Sequence, residues 1–456
     1  MKHMTLKEIA AAVGGVYYGS DADYYKGVSS VVIDSRLVEK DSLFVAIRGA
    51  RVDGHMFILQ AIKSGALCAL SEKRIENTSY PYILVVSCVQ ALKALAEHYR
   101  KGLDVKVVGI TGSVGKTSTK EMMASVFQQK FSVLKTQGNF NNEIGLPLTI
   151  FRIKEEHQIA VLEMGISNFG DMNYLAQMAR PDFCVLTNIG YAHIEQLKTR
   201  DGILKEKSSM LNFMNPKGEI FLNGDDDKLI TIQSHGDILP TFYGLNPDFP
   251  FYAKDINDQG LDGTTATYVT PKSSFSAHIH VPGKFMVYNA LAAIATGYSL
   301  GMTEDEIIKG IETLQPIAGR SNLIKTKAYT IIDDCYNASP TSVAAALDLL
   351  SHANTRKVAI LGDMLELGEK EQNLHFDVGI AVAGHHIDVL VCIGPLSKFI
   401  YQGAKHHGIE NAYHFADNAA FFADMELILN PDDTVLVKAS NGMRFAHIVE
   451  KLNFCE

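Results

Sequence analysis

The sequence contains few cysteines, no long apolar run and no excess of basic residues. The 6 cysteines are spread over 456 residues without a CxxC pair, which excludes a zinc ribbon or a disulfide framework and predicts reduced, mostly buried thiols. No run approaches the roughly 18 apolar residues of a membrane-spanning helix. The N-terminal MKHMTLKEIAAAVGG lacks the apolar core and the cleavage site of a signal peptide. We therefore expect a cytoplasmic protein without a membrane partner.

The balance of charge argues against a polyanionic partner. The chain has 42 Lys and Arg against 51 Asp and Glu, a formal net charge of −9. It therefore lacks the broad basic surface that sequence-independent binding of nucleic acid needs. A local cationic pocket for a small anion is compatible with this balance. Apolar residues make up 47% of the chain and charged residues 20%, which is typical of a folded protein and not of a disordered one.

The length and the apolar periodicity predict an α/β fold of three domains. At roughly 150 residues per domain, 456 residues correspond to about three. Short apolar runs alternate with helical segments along nearly the whole chain, as in largely parallel sheets covered by helices. Gly102 and Pro316 favour boundaries and hinges, and the polar stretch 231–282 favours a small antiparallel insertion. The predicted domains are a smaller N-terminal α/β domain (1–102), a central domain (103–314) and a C-terminal Rossmann-like domain (315–456).

The strongest local signal is VKVVGITGSVGKTSTKEMM, in which an apolar strand leads into a glycine-containing loop and a Lys-Thr pair begins a helix. Gly112 and Gly115 let backbone N–H groups approach phosphate oxygens, and the helix N-terminus adds positive potential. Lys116 would reach the β- and γ-phosphates, and Thr117 would offer its hydroxyl to Mg²⁺. The strict motif has Gly where this chain has Ile110. The alternative is an ordinary tight turn, but the flanking strand and helix favour a central parallel sheet of the P-loop ATPase type.

Two further side chains follow apolar runs of the central segment. Glu163 follows IAVL, and His193 follows FCVLTNIGYA. A carboxylate at a strand end near a nucleotide can bind Mg²⁺, but such a residue is as often a solvated loop residue. A single His is more often a packing or hydrogen-bonding residue than a ligand. The residues alone leave both alternatives open, and the acidic run 225–227 is interpreted as a solvated turn.

Several segments together resemble the Mur ligases, ATP-dependent amide-forming enzymes of peptidoglycan precursor synthesis. In the central domain these are TGSVGKTSTKE, TQGNFNNEIGLPLT, EMGIS, TNIGYAH and the following Lys207. DSRLVEKDSLFVAIRGARVDGH in the first domain, and IDDCYNASPTSVAAAL, LGDMLELG and VLVKAS in the third, extend the resemblance over the whole chain. The resemblance implies a reaction through an acyl phosphate, in which the γ-phosphoryl group passes to a peptide carboxylate and an amine displaces phosphate.

Within the family, GKTSTKE followed by NFNNEIGLP is similar to the member that joins D-alanyl-D-alanine to UDP-N-acetylmuramoyl-tripeptide. The DNPR-like motif of relatives that add diaminopimelate and the GTNGK loop of other relatives are not found. The resemblance implies ATP and Mg²⁺ as cofactors and the UDP-tripeptide and the dipeptide as substrates, and we expect a monomer. The alternatives are a Mur-type ligase that adds the third amino acid, a P-loop ATPase or sugar kinase, and a UDP-sugar-binding protein.

The resemblance also implies roles for individual residues at the ATP site. Lys116, His193 and Lys207 are the implied catalytic residues, and Thr117, Glu163 and His193 are the implied metal ligands. In this family the lysine at position 207 is carbamylated: reaction with CO₂ gives an anionic carbamate, which removes the repulsion between an ammonium group and Mg²⁺. The implied ATP-binding residues are Gly112, Ser113, Val114, Gly115, Lys116, Thr117, Ser118, Asn289, Arg320 and Asp334.

The remaining implied contacts lie on the third domain and at the substrate end. Arg320 would contact phosphate, and Asp334 would contact ribose or a bound cation unless it is a cap or turn residue. The His-Asn pair that precedes Asn289 in the family is Phe285-Met286 here. An Asn-rich segment suits peptide recognition, although it is also a common turn. The implied UDP-substrate residues are Ser35, Arg36, Asp53, Gly54 and His55, and the implied peptide residues are Asn139, Asn141 and Asn142.

Overall fold

Three β-sheets follow one another along the chain in a computed structural model that describes residues 3–76 and 78–454. They contain five, nine and six strands, and a two-stranded ribbon lies near the N-terminus. Each of the three sheets falls within one of the three ranges predicted as domains. Helices connect most of the strands, so the predicted α/β fold class is confirmed.

The N-terminal region is built on the five-stranded sheet. Its elements are β1 (Met4–Thr5), α1 (Leu6–Val13), β2 (Val16–Tyr18), α2 (Asp21–Tyr24), β3 (Gly27–Val28), β4 (Val31–Val32), β5 (Leu43–Val45), α3 (Ile58–Lys63), β6 (Cys68–Ser71), β7 (Tyr82–Leu84) and α4 (Cys88–Lys101). The strand order is β2-β7-β6-β5-β4, with β2 antiparallel and the others parallel. β1 and β3 form the separate ribbon. A capping box of Thr5 and Glu8 begins α1, which ends at Gly14 in the left-handed conformation.

The central region is built on the nine-stranded sheet. Its elements are β8 (Lys106–Thr111), α5 (Lys116–Phe127), β9 (Val133–Lys135), α6 (Gly145–Phe151), β10 (Ile159–Glu163), α7 (Asp171–Ala179), β11 (Phe183–Leu186), α8 (Ile194–Leu197), α9 (Arg200–Ser208), β12 (Glu219–Asn223), β13 (Thr241–Gly244), β14 (Phe251–Asp258), β15 (Thr264–Val269), β16 (Ser274–Ile279), α10 (Met286–Ser299) and α11 (Glu304–Glu312). The strand order is β16-β15-β14-β13-β12-β11-β8-β10-β9.

The middle of this sheet is buried on both faces. In β8, Val107 joins the core that contains residues of α4, α6 and α7, whereas Val108 and Ile110 join the core that contains residues of α5 and α10. Strands covered on both sides have nearly continuous apolar sequences. The chain leaves β8 toward β9 on one side and leaves β11 toward β12 on the other. Such a reversal opens a crevice at the carboxyl ends of the strands, where ligands of α/β proteins bind.

Residues 231–282 confirm the predicted small antiparallel insertion only in part. β13 pairs in parallel with β12 and with β14, and only β14, β15 and β16 are antiparallel. Every second residue of β15 is buried, and Ala266 and Tyr268 lie in the same core as α10. The alternating apolar face therefore continues the central core, and the segment extends the sheet instead of forming a unit of its own.

The C-terminal region is built on the six-stranded sheet. Its elements are β17 (Asn322–Lys325), β18 (Tyr329–Asp333), α12 (Pro340–Ser351), β19 (Lys357–Gly362), α13 (Glu371–Gly384), β20 (Val389–Ile393), α14 (Ser397–His406), β21 (Ala412–Phe415), α15 (Asn418–Ile428), β22 (Asp433–Lys438) and α16 (Ala446–Asn453). The order is β17-β18-β22-β19-β20-β21, and only the edge strand β17 is antiparallel. Ser339 caps α12 and Pro340 is its first residue, as the sequence predicts.

The N-terminal and central regions share one hydrophobic core. The apolar face of α4 packs against α6 and α7. Arg100, which is buried, donates from Nε to the carbonyl oxygen of Ala179 at 3.1 Å and forms an ion pair with Asp182 at 3.4 Å. Gly102 ends α4 immediately afterwards. These contacts fix α4 to the central region and argue against the hinge expected at Gly102.

Two expectations about membranes and thiols can be compared with the structure. The cysteines Cys68, Cys88, Cys184 and Cys392 are free and buried, and Cys335 is free and partly buried. Cys455 lies outside the described residues. Among the helices of residues 3–76 and 78–454, none has the length and apolar character needed to cross a bilayer.

The role of Arg100 in joining the two regions can be tested by truncation. Arg100→Ala removes a buried guanidinium and leaves Asp182 without its ion pair, so we expect the free energy of unfolding to fall by about 3 kcal/mol. Lys101→Ala, on the exposed side of the same helix, should leave it nearly unchanged. Guanidinium unfolding followed by circular dichroism measures both. Equal stability of the two variants would contradict the anchoring role.

Candidate active site

A cavity of about 580 Å³ lies between the central and C-terminal regions. It opens at the carboxyl ends of β8, β10 and β11, and the C-terminal region covers it with residues that precede and follow β18, including Arg320, Asp334 and Tyr336. The central region contributes the loop between β8 and α5 and the loop after β11. The cavity therefore lies at the crevice that the strand order creates.

The loop between β8 and α5 has the backbone of a phosphate-binding loop. Gly112 has φ 157° and Gly115 has φ 82°, values that favour glycine. A Cβ atom on Gly112 would lie 1.9 Å from Oγ1 of Thr187, so the loop approaches β11 too closely for a side chain. Gly115 immediately precedes α5, whose first residue is Lys116. The free N–H groups at this helix start and the helix dipole suit an anion.

The end of β11 holds this loop in place. Asn188 Oδ1 accepts from the Val114 N–H at 2.9 Å, and Asn188 Nδ2 donates to the Val114 carbonyl at 2.9 Å. Thr187 Oγ1 donates to the same carbonyl at 2.7 Å, and the Ser113 N–H donates to the Asn188 carbonyl at 3.0 Å. Asn188 is not among the residues predicted from the sequence, although TNIGYAH contains it.

Lys116 is held by carbonyl groups and lacks a directly bonded carboxylate partner among the described residues. Its Nζ donates to the Gly112 carbonyl at 2.7 Å and lies 3.4 Å from the Ser113 carbonyl. Burial lowers the pKa of Lys116 to about 8, with Glu163 opposing this shift and Arg320 adding to it. A bound phosphate would favour the charged form of the amine.

Glu163 and Thr117 form an oxygen-rich group beside the loop. Glu163 is buried; its Oε2 accepts from Thr117 Oγ1 at 3.0 Å, and its Oε1 accepts from Asn141 Nδ2 at 2.7 Å. Lys120 Nζ lies 3.6 Å from Oε2. A carboxylate and a hydroxyl beside a phosphate site are donors that Mg²⁺ uses, together with water and the phosphates themselves. Within the described residues, no group of three or more His, Cys, Asp or Glu side chains could hold a metal ion by itself.

His193, the third predicted metal ligand, has a partner on the C-terminal region. Its Nδ1 lies 2.6 Å from Oε2 of Glu366. A carboxylate accepts only, so Nδ1 carries the hydrogen. The bond holds the pKa of Glu366 below its ordinary value. His193 and Glu163 both line the cavity, and the structure brings both to one site without giving them a shared contact.

Lys207 is buried and unpaired. It lies on α9 with 0% exposure, and its Nζ has no hydrogen-bond partner. Burial lowers the pKa of Lys207 well below its ordinary value, and the charge of Lys116 lowers it further. The adjacent carboxylate of Glu206 is engaged elsewhere, since it accepts from the N–H groups of Gly170 and Met172 at the start of α7. A buried amine with a lowered pKa and no carboxylate partner suits the predicted carbamylation. Lys207 is not among the residues that line the cavity.

The two predicted residues of the C-terminal region behave differently. Arg320 Nη2 lies 3.4 Å from Thr117 Oγ1, and the guanidinium stacks 4.0 Å from the ring centre of Tyr336. Asp334 accepts from the Ser321 N–H at 3.0 Å and from Lys438 Nζ. Arg320 therefore points toward the phosphate loop, whereas both oxygens of Asp334 are engaged within the C-terminal region.

Asn289 is the predicted adenine-side residue. It is buried on α10, where Oδ1 accepts from Thr119 Oγ1 at 2.9 Å. It lines the cavity together with Phe285, which lies one turn earlier, and with Tyr288, the preceding residue. This end of the cavity is thus bounded by aromatic rings and an amide group.

Of the three predicted peptide residues, Asn141 contacts Glu163 and lines the cavity. Asn142 also lines the cavity, and its Oδ1 accepts from the N–H groups of Ile144 and Gly145 in the turn that leads into α6. Asn139 is exposed and does not line the cavity. The structure therefore separates the roles of these three amides.

The predicted UDP-substrate residues lie on the N-terminal region, away from the cavity. Asp53 accepts from His55 Nδ1 at 2.6 Å and from Lys73 Nζ at 2.7 Å, while His55 Nε2 accepts from the Glu72 N–H. Gly54 cannot carry a side chain, since a Cβ would lie 2.5 Å from the Ile47 carbonyl. Arg36 is paired with Asp34, and Ser35 begins the same turn.

The acidic run 225–227 is a largely exposed turn, as interpreted from the sequence, and two of its side chains hold neighbouring groups. Asp226 accepts from the N–H groups of Ile189, Lys228 and Leu229, and Asp227 pairs with Arg200. The run is a turn, but it fixes the loop that follows β11 and so supports the cavity.

Comparisons with known proteins agree over the whole chain. Family models for the Mur ligase family catalytic domain, the Mur ligase middle domain and the Mur ligase glutamate ligase domain match residues 27–100, 110–297 and 319–441. The UDP-N-acetylmuramoyl-tripeptide--D-alanyl-D-alanine ligase of Bacillus subtilis is 36% identical over 98% of both chains. The chain belongs to the Mur ligase family.

Solved structures of Mur ligases share the fold. MurF from Acinetobacter baumannii superposes with a TM-score of 0.90 at 28% identity, covering 99% of both chains. MurF from Thermotoga maritima in complex with ADP superposes with a TM-score of 0.82 at 30% identity, covering 93% of this chain and 97% of that one. The fold class predicted from the sequence and its resemblance to the Mur ligases are confirmed.

Asn188 provides a test of the phosphate loop in this Mur ligase. Asn188→Ala removes both side-chain hydrogen bonds to Val114, so we expect ADP to bind about tenfold more weakly, or ~1.4 kcal/mol, because the loop is no longer held for phosphate. Asn246→Ala in an exposed turn is the matched control and should bind ADP normally. Calorimetric titration measures both, and unchanged affinity of Asn188→Ala would contradict the role.

Proposed function

We propose that the protein is an ATP-dependent ligase that joins D-alanyl-D-alanine to UDP-N-acetylmuramoyl-tripeptide in peptidoglycan precursor synthesis, and hence in cell wall formation. The observation that carries the proposal is the buried, unpaired Lys207, whose pKa is lowered by burial and by the charge of Lys116, in a chain that matches a ligase of this name over 98% of its length. The chemistry of a kinase or of a switching ATPase does not require a second buried amine without a hydrogen-bond partner.

ATP binding follows from the donors of the cavity. The phosphates would meet the N–H groups of the loop, the start of α5 and Lys116, with the base toward Asn289. Arg320 would add positive charge from the C-terminal region. The ADP complex of the Thermotoga maritima MurF supports this use of the fold. Phosphoryl transfer is mostly positioning and electrostatic stabilisation, which such a donor set supplies.

Thr117 and Glu163 would hold Mg²⁺ with the nucleotide, and His193 would complete the site from the loop after β11. When bound, Mg²⁺ neutralises charge on the phosphates as the two anions approach. Asn141 and Lys120 position the Glu163 carboxylate through the contacts described above.

Carbamylation starts from the neutral amine, which the lowered pKa of Lys207 favours. The neutral amine attacks CO₂, an N–C bond forms, and one proton leaves to solvent, so the side chain becomes a carbamate anion. Because Lys116 destabilises an ammonium group at this position, the same charge stabilises the carbamate. Carbamylation changes the charge of Lys207 from positive to negative, so that its repulsion by Lys116 becomes an attraction.

The reaction then takes two steps. The tripeptide carboxylate attacks the γ-phosphorus, an O–P bond forms and the bond to ADP breaks. The dipeptide amine attacks the acyl carbon, an N–C bond forms, and phosphate leaves as the amine loses its proton. The UDP end would bind the N-terminal region through Ser35, Arg36, Asp53, Gly54 and His55. A monomer in the cytoplasm, without nucleic-acid or membrane partners, completes the proposal.

The substrate assignment predicts a specific dependence on the amine. With ATP, Mg²⁺ and UDP-N-acetylmuramoyl-tripeptide, phosphate release should require D-alanyl-D-alanine, because the acyl phosphate needs an amine to turn over. A single amino acid, assayed with the UDP-N-acetylmuramoyl-dipeptide that a third-residue ligase would use as acceptor, should not support phosphate release. Tripeptides ending in lysine and in diaminopimelate are assayed in parallel. Phosphate release with a single amino acid would favour the third-residue ligase, and ADP formation without any amine would favour an ATPase or kinase.

Carbamylation predicts how substitutions of Lys207 behave. Lys207→Ala and Lys207→Arg should each lower turnover by about 100-fold or more, because neither side chain can form a carbamate. Excess bicarbonate should leave both variants unchanged. In the wild type, ¹³C-labelled CO₂ should give a carbamate signal in the NMR spectrum that both variants lack.

Lys205→Ala is the matched control, since Lys205 is exposed on the same helix. It should keep wild-type turnover and the carbamate signal. Near-normal turnover of Lys207→Ala or Lys207→Arg would refute the role of the carbamate.

A further inference from the structure

The contact between His193 and Glu366 joins two regions of the chain at the cavity. His193 Nδ1 and Glu366 Oε2 are 2.6 Å apart, and the Glu195 N–H points to the Glu366 carbonyl at 3.4 Å. His193 has φ 62° and Glu366 has φ 63°, a backbone conformation that is costly for residues with side chains. Two such residues facing each other indicate that the surrounding loops impose the contact.

The loop that carries Glu366 is fixed within the C-terminal region. Asp363 at its start accepts from the Ser397 N–H at 2.7 Å. The N–H group of Met364 donates to His375 Nε2 at 2.9 Å, and the N–H group of Leu365 donates to Ser440 Oγ at 2.9 Å. Glu366 is therefore held as part of the C-terminal region and not on a free loop.

The geometry decides which nitrogen of His193 is available. Since Nδ1 donates to Glu366, the lone pair of the neutral ring lies on Nε2. A metal-binding His commonly donates its other N–H to a carboxylate, which fixes the ring and raises its basicity. Here the carboxylate comes from the C-terminal region, while the ring and the Thr117–Glu163 group belong to the central region.

We propose that Glu366 is a positioning residue, which locks His193 for a divalent cation when the C-terminal region closes on the cavity. The inference rests on the proposed function, in which that cation accompanies ATP. Cation binding and closure then favour each other, because each stabilises the arrangement that the other needs.

The test measures cation binding in the absence of the reaction. With ADP bound, Mn²⁺ affinity is determined by electron paramagnetic resonance for the wild type, Glu366→Ala and Glu366→Gln. We expect Glu366→Ala to raise the dissociation constant by about 10- to 100-fold. Glu366→Gln should give a smaller increase of about threefold to tenfold, since its amide oxygen can still accept from Nδ1 without the charge.

Glu369→Gln is the matched control, because Glu369 is an exposed carboxylate three residues further along the same segment. It should bind Mn²⁺ as the wild type does. Small-angle scattering should show that ADP with Mn²⁺ reduces the radius of gyration of the wild type more than that of Glu366→Ala. The Glu366 side chain is 48% exposed, so the unfolding midpoint of Glu366→Ala should equal that of the wild type. A purely structural role of Glu366 would instead lower this midpoint.

The outcomes separate this inference from the function on which it rests. Wild-type Mn²⁺ affinity in Glu366→Ala, or in Glu366→Gln if the alanine variant does not fold, overturns the positioning role. Absence of dipeptide-dependent phosphate release in the wild type contradicts the proposed function instead. Weaker Mn²⁺ binding with unchanged compaction refutes the link to closure.

Discussion

Buried amines without a bonded carboxylate are the constraint on which the site depends. Lys116 is held by carbonyl groups, and Lys207 has no hydrogen-bond partner. Burial lowers the pKa of both amines, and the charge of Lys116 lowers that of Lys207 further. A protein stabilised only by its own contacts would neutralise such amines with acidic partners. The nearby carboxylates are committed elsewhere: Glu206 caps α7, and Glu163 bonds Thr117 and Asn141. The site is therefore complete only with anions from outside the chain.

The sequence predicted those parts of the fold and site that depend on local pattern. Buried strands such as β8 and the glycine loop after it could be located because their signal lies within a few consecutive residues. The short strands β1, β3 and β17 were missed because pairing with distant segments, and not apolar pattern, creates them. The sequence pattern of residues 231–282 did not show that they extend the central sheet, because the buried face of these strands packs in one core with α10, which comes later in the chain.

The same distinction applies to side chains. The structure brings the predicted Lys116, Thr117, Glu163 and His193 to one cavity, whereas the predicted Lys207 is buried and does not line it. Asn188 and Glu366 were missed, although their motifs had been noted, because their partners are far away in the sequence. Conversely, the oxygens of Asp334 and Asn142 are used for internal bonds, which a motif does not reveal.

The core that α4 shares with the central region has a consequence for synthesis of the chain. The residues of α4 that pack against α6 and α7 have no cover until those helices exist, so a nascent chain exposes them until about residue 180 has left the ribosome. The end of the first sheet is thus not the end of a folding unit. A fragment that ends at residue 102 would keep its strands but expose these apolar residues of α4, whereas a fragment that ends after α7 would contain the helices that pack against them.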